Sequence, residues 1–336
     1  MWCRPYCLLL LLCFSLPTLA DTLWLDNGDR LTGKIELLEG SKLVIVTDFA
    51  GRVTVDVKRI RTLESDRTLL VKTLGQAERA MGLMASDTPG TVLLVNGLPE
   101  PQELPISAIR QMLEPQPVIE DWVWEGKANV ALDIKDAETD QRDLDISIDT
   151  QARHGDWRHG LAYEFERDFR NDVKSRHVWD AEYDLSWFFA DQWFWQTSAS
   201  YQRDLIGDIE RRIQFGMGPG YEWWNSALGR FETSARLDYL QLDERTGETW
   251  HTNALALEWD YRRFLFGKRF QLFHKAETLI PDDDAIRYAV DAELGLRYLL
   301  NSWMALSLST DWDYLKTTDD TGTNYKRYRL GLGVNW

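Results

Sequence analysis

From residue 122 onward the chain alternates. Apolar or aromatic side chains take every second position over runs of about ten to fourteen residues, and short polar breaks separate the runs. Leu144, Ile146 and Ile148 alternate with Asp145, Ser147 and Asp149. Met304, Leu306, Leu308, Thr310, Trp312 and Tyr314 alternate with Ser307, Ser309, Asp311 and Asp313. The pattern predicts twelve strands, at 124–135, 143–153, 157–168, 175–188, 192–203, 209–223, 230–242, 249–262, 268–280, 285–299, 303–316 and 324–336. An even set of strands with one apolar and one charged face predicts an antiparallel transmembrane β-barrel over 122–336. A soluble sandwich or lipocalin-like barrel would bury the charged face, at a cost too high for so many acids and bases.

The breaks are of two alternating kinds. One set is polar and often acidic, as at 136–142, 168–174, 243–248 and 317–324. The other is flanked by aromatics. Trp122, Trp124, Trp157, Trp187, Trp193, Trp195, Trp223, Trp224, Trp303 and Trp336 all fall at one end of the expected strands. Indole rings gather at the level of lipid headgroups, so these ten form an expected aromatic girdle at the periplasmic rim. The segment from Tyr325 to Trp336 ends on Tyr328, Leu330, Leu332, Val334 and Trp336 in alternation. It resembles the C-terminal insertion signal of bacterial outer-membrane proteins, although a soluble edge strand can carry the same pattern.

Residues 21–115 read differently. Asp26-Asn27-Gly28-Asp29 suggests a tight type I′ hairpin, and turns follow at Gly40 and Gly51. Five short strands in under fifty residues suggest a small SH3/Sm-like β-barrel. The pattern then recurs. Val92 to Asn96 echoes Leu43 to Thr47, and Ile109 to Glu114 echoes Ile60 to Glu64, at a spacing of 47 to 50 residues. Two repeats are therefore expected, 21–66 and 67–115, with a proline-flanked linker at 116–121.

Residues 1–20 read as a secretory signal: Arg4, an apolar core from Leu8 to Leu16, and Thr18-Leu19-Ala20 before the cut. Cys3, Cys7 and Cys13 all lie in it, so the exported chain is expected to carry no thiol. Charge is uneven. Residues 21–115 hold 11 basic and 14 acidic side chains, whereas 116–336 hold 26 and 40. Nucleic acid is not an expected partner of so acidic a chain.

No metal-binding His-Glu-x-x-His, nucleophile elbow or phosphate loop is present in the sequence. Gly216, Gly218 and Gly220 alternate on one expected strand and mark a close or bent backbone. No enzyme activity, metal or cofactor is expected. The candidates are the charges of the inward face: Asp145, Asp149, Glu164, Glu166, Asp180, Glu182, Asp184, Arg212, Arg236, Asp291, Glu293, Arg297, Asp311, Asp313, Arg327 and Arg329, with Arg153 and Arg287 besides. They could line a narrow, cation-preferring pore, or pair with one another and close the lumen.

The exported start, the segment Asn27-Gly28-Asp29-Arg30-Leu31-Thr32-Gly33, the Ala50-Gly51 turn and the barrel ending at Trp336 together resemble the salt-induced outer-membrane protein family (YdiY-like). The resemblance implies an outer-membrane location in a Gram-negative bacterium and supplies no activity. The expected fold is all-β, a twelve-stranded barrel preceded by a duplicated small β-barrel module in the periplasm. The expected function is a narrow diffusion channel, or alternatively an anchor for that module. Expected partners are outer-membrane lipid, the barrel-assembly machinery, and peptidoglycan or a periplasmic protein through 21–115.

Overall fold

The computed structural model describes residues 20–73, 78–95, 100–115, 122–135, 141–283, 286–301, 303–318 and 322–336. The expected signal apart from Ala20, its three cysteines and the expected linker 116–121 lie outside the described residues. The chain divides into two units, Met1–Pro115 and Gln116–Trp336.

The first unit is built from β1 (Asp21–Leu25), β2 (Arg30–Glu39), β3 (Lys42–Thr47), β4 (Gly51–Asp56), β5 (Ile60–Thr73), β6 (Arg79–Ala85), β7 (Thr91–Val95), β8 (Gln102–Pro105) and β9 (Ile109–Leu113). Its strand order is β4-β3-β2-β1-β5-β6-β7-β8, and β9 pairs with both β2 and β5. The duplication is visible in the starts of the elements. β2 and β6, β3 and β7, the single 3-10 turns at Val57–Arg59 and Ile106–Ala108, and the strands that begin at Ile60 and Ile109 are each 49 residues apart. The small module is one body, however. The boundary expected at 66/67 falls inside β5, and Leu23, Ile35 and Leu63 share one apolar core with Val71, Leu83, Val92 and Met112.

One turn differs from its expectation. Gly28 has a left-handed φ of 91° but Asn27 does not, and Leu25 and Asp29 are bonded across a three-residue loop. A type I′ turn needs positive φ at both central residues, so Asn27-Gly28 does not form one. Asn27 instead accepts a bond from the Asp29 N–H (3.1 Å), which holds it outside the left-handed region. Left-handed values at two successive residues occur elsewhere, at Asn171 (51°) and Asp172 (60°).

The second unit is a closed barrel of twelve strands: β10 (Val123–Lys135), β11 (Gln141–His154), β12 (Trp157–Arg170), β13 (Val173–Phe188), β14 (Trp193–Asp204), β15 (Ile209–Ser226), β16 (Gly229–Glu244), β17 (Thr249–Leu265), β18 (Phe270–Pro281), β19 (Ile286–Leu299), β20 (Met304–Thr317) and β21 (Gly322–Asn335). Each pairs antiparallel with its neighbour in sequence, and β10 closes on β21. Closure removes the sheet edge wherever the seam is paired. The seam is short. It is paired from Lys127↔Asn335 to Val130↔Leu332, whereas β10 and β11 are paired from Val123↔Arg153 to Lys135↔Gln141. Gly126 and Trp336 add two reciprocal backbone bonds of 3.1 Å at one end of the seam.

The wall is inverted relative to a soluble barrel. Leu161, Phe215, Leu237, Leu294, Leu308 and Leu330 point outward and are exposed, while Arg158, Arg230, Arg236, Asp238 and Arg297 are buried within. Among the described residues no helix is long and apolar enough to cross a membrane.

Candidate functional site

Alternation along each strand sends one residue in two into the lumen. Register fixes which ones: Asp145 lies opposite Glu166, Glu164 opposite Asp180, Glu293 opposite Asp311, and Asp311 opposite Arg327. Asp149, Glu182, Arg212, Asp291, Arg297, Asp313 and Arg329 line lumen cavities, as do those just named. Asp184 accepts a bond from Gln196, and Arg236 is buried in the wall's interior. Arg153 stacks on Phe188, its guanidinium carbon 4.5 Å from the ring centroid. Arg287 is exposed at a register shift at the start of β19.

One side of the lumen is filled. Arg236, 1% exposed, pairs with Glu258 and Glu277 and lies 3.4 Å from Asp238. Arg158 reaches Glu232 at 2.8 Å, and Arg230 reaches Asp260 at 3.1 Å. Phe188 and Phe194 pack together at 5.2 Å beneath Arg158. The inward glycines of β15 make this filling possible. A Cβ at Gly216 would collide with Asp238, at Gly218 with the backbone of Ala235 and Arg236, and at Gly220 with the Phe194 ring. The wall is thinned there so that large side chains can lie flat against it.

The other side is hollow. A cavity of about 490 Å³ opens beside Glu125, Phe264, Asn335 and Trp336. A second, of about 430 Å³, shares Glu164, Asp180, Glu182, Lys275, Glu293 and Arg329 with it. A third, of about 680 Å³, shares Arg176, Gln202, Arg212, Asp291 and Asp313 with the second and reaches Asp208, Pro281 and Thr323 at the opposite end. Among the described residues the middle cavity is lined by ten carboxylates and five cationic side chains, so its walls carry excess negative charge. Arg327 bridges Asp145 (3.1 Å) and Glu166 (2.7 Å), and Arg329 pairs with Asp311. Among the described residues no three His, Cys, Asp or Glu side chains are grouped to hold a metal ion.

The ten tryptophans occupy one end of the barrel. Trp157, Trp187 and Trp195 lie in register across three strands, and Trp157 stacks on Trp187 at 6.1 Å. Trp224 is half-buried and meets Tyr261 edge-on, while the other nine are exposed. Tyr328, Leu330, Leu332 and Val334 face outward, and the Trp336 indole covers Gly126. Sequence reasoning missed a sparser aromatic set at the opposite end, where Trp312, Tyr314 and Tyr288 adjoin and Trp250 donates to Glu244. Their alternation with charged residues was legible, but they are too few per break to stand out.

Outside the barrel, two carboxyls of the module are held below their ordinary range. Hydrogen bonds from Ser86, then Thr91 and Thr88, act on Glu103. The Lys58 backbone N–H, then Lys42, acts on Asp56.

No curated protein matches the chain. Among solved structures, it is similar to the translocator domain of the autotransporter NalP from Neisseria meningitidis, with 13% identity, a TM-score of 0.39, and coverage of 63% of this chain and 88% of that one. It is similar to the NanC porin, with 12% identity, a TM-score of 0.38, and coverage of 63% and 99%. It is similar to the KdgM porin, with 14% identity, a TM-score of 0.34, and coverage of 63% and 98%. Residues 128–336 match the family described as "Protein of unknown function, DUF481". That match takes in nearly the whole barrel and more than half of the chain, which therefore belongs to the DUF481 family.

Proposed function

We propose that the barrel spans the outer membrane and passes small cations along the hollow side of its lumen. The carrying observation is the series of three cavities, each sharing lining residues with the next, whose middle member is lined by twice as many carboxylates as cations. Fixed negative charge in a narrow aqueous path favours mobile cations and disfavours anions. The outward apolar band and the tryptophan girdle support a bilayer around the wall. The YdiY-like resemblance is compatible with membership of the DUF481 family. On this reading the tryptophan end faces the periplasm together with the module, and the barrel-assembly machinery engages the alternating segment that ends at Trp336. The test is conductance of the refolded protein in a planar bilayer under a salt gradient. Stable steps with a cation-selective reversal potential are expected. Neutralising Asp291, Glu293, Asp311 and Asp313 should weaken that selectivity. Silence from inserted, folded protein overturns the pore.

The filled side of the lumen favours a second reading. Arg158, Arg230, Arg236, Phe188 and Phe194 leave little free cross-section beside β14 to β17. A closed barrel would serve as an anchor for residues 21–115, holding peptidoglycan or a periplasmic protein. Co-sedimentation with purified peptidoglycan, lost on deletion of 21–115, would favour it.

A further inference from the structure

The outer wall is not apolar throughout. Near the Asn171–Asp172 turn, the strands β12 and β13 carry cations on their outward face. Arg167 lies opposite Leu144 on one side and His177 on the other, both outward positions. Lys174 lies opposite Phe169, also outward, and its Nζ is 3.1 Å from His177 Nδ1. The Arg167 guanidinium carbon sits 5.6 Å from the Phe169 centroid, and its Nε is buried without a partner. The acid of the turn, Asp172, faces Arg142 at 3.3 Å. Among the described residues, neither Arg167 nor Lys174 has a carboxylate within ion-pair distance, unlike Arg203 and Arg211 on the neighbouring strands. Two uncompensated cations with an aromatic beside them, on the outside of a barrel and within one turn of its rim, stand where headgroups lie.

We infer that Arg167 and Lys174 form a site for the phosphate of a lipid headgroup, at the end of the barrel opposite the tryptophan girdle. Phe169 and Phe165 lie beside the acyl chains, and the two cations share the phosphate oxygens. This rests on the membrane-spanning reading, but not on whether the lumen conducts.

The test uses the full chain refolded in dodecyl maltoside, which carries no phosphate. Dioleoylphosphatidic acid is titrated in, and bound lipid is counted by native mass spectrometry. Dioleoylglycerol and inorganic phosphate are the companion probes. Binding of the phosphatidic acid but not the diacylglycerol is expected, with no displacement by millimolar inorganic phosphate. The double variant Arg167→Gln/Lys174→Gln should bind about thirtyfold more weakly, each cation contributing about fivefold. Arg211→Gln, which removes a paired cation from the same rim, should bind as the parent does and guards against a general charge effect. Equal binding by the double variant overturns the inference. So does full displacement by inorganic phosphate, which would mark a site for a soluble anion. A chain that stays monomeric and soluble without detergent would instead overturn the membrane reading itself.

Discussion

Arg236 on β16 reaches Glu277 on β18 across the whole width of β17. It does so because the strand between them presents Ala256, fully buried, at the crossing point. A larger side chain there would hold the two apart. Removing the guanidinium leaves Glu258, Glu277 and Asp238 facing one another, with Lys275, 3.7 Å from Glu258, too little to offset three carboxylates. Arg236→Met should therefore destabilise the barrel by about 3–5 kcal/mol, as loss of one member of a buried ion pair does. Urea unfolding in micelles, followed by tryptophan fluorescence, measures this. An unchanged midpoint would show that water already supports those carboxylates.

Gly218→Ala is a sharper probe of the same region. Its Cβ meets backbone, the Ala235 carbonyl and Arg236 Cα, so no rotamer change relieves it. A loss of about 1–3 kcal/mol is expected in the same assay. Gly220→Ala meets a side chain, Phe194, and should cost less if the ring can turn aside.

In the module, Asp21 is fully buried and accepts from Ile35 N (2.6 Å), Ser65 Oγ (2.7 Å) and Arg67 (2.5 Å). Asp21→Ala strands the Ile35 N–H and leaves Arg67 with Glu114 as its one remaining ion-pair partner. A loss of about 1–3 kcal/mol is expected, read as the thermal unfolding of residues 21–115 within the full chain. Ser65→Ala, which leaves the ion pair in place, should cost about 1 kcal/mol.

Acid should loosen the β7–β8 hairpin. Glu103 on β8 is held ionised by Ser86, Thr91 and Thr88, so its folded pKa lies below the unfolded value. Its contribution is complete above the unfolded carboxylate range and disappears as pH falls through the lowered folded value. Ser86→Ala should move the Glu103 titration, followed by carboxyl NMR, back toward the ordinary range. An unmoved titration would assign the shift to Thr91 and Thr88 alone.

Most of the barrel was legible because a strand writes its two faces into the sequence with period two. The expected segment 175–188 became Val173–Phe188, and 249–262 became Thr249–Leu265. What alternation does not encode is stagger. Whether Arg236 meets Glu277 or some other acid depends on how far β16 slides against β18, and no residue pattern states that. The same holds for Asp21 and Arg67, which come together only because β1 pairs with both β2 and β5. The turn at Asn27 was misread for a different reason. Its dipeptide favours a two-residue loop, but the pairing of Trp24 with Arg30 fixes a longer one.

The short seam has a mechanical meaning. A sheet rolled into a cylinder and clasped along part of one edge is not equally strong around its circumference. Gly126 and Trp336 hold the clasp at the tryptophan end, and pairing stops beyond Val130. Thermal fluctuation or lateral tension would part β10 from β21 from the unclasped end first. Such a gap would connect the lumen sideways to the hydrocarbon, a direction that neither mouth of the barrel offers.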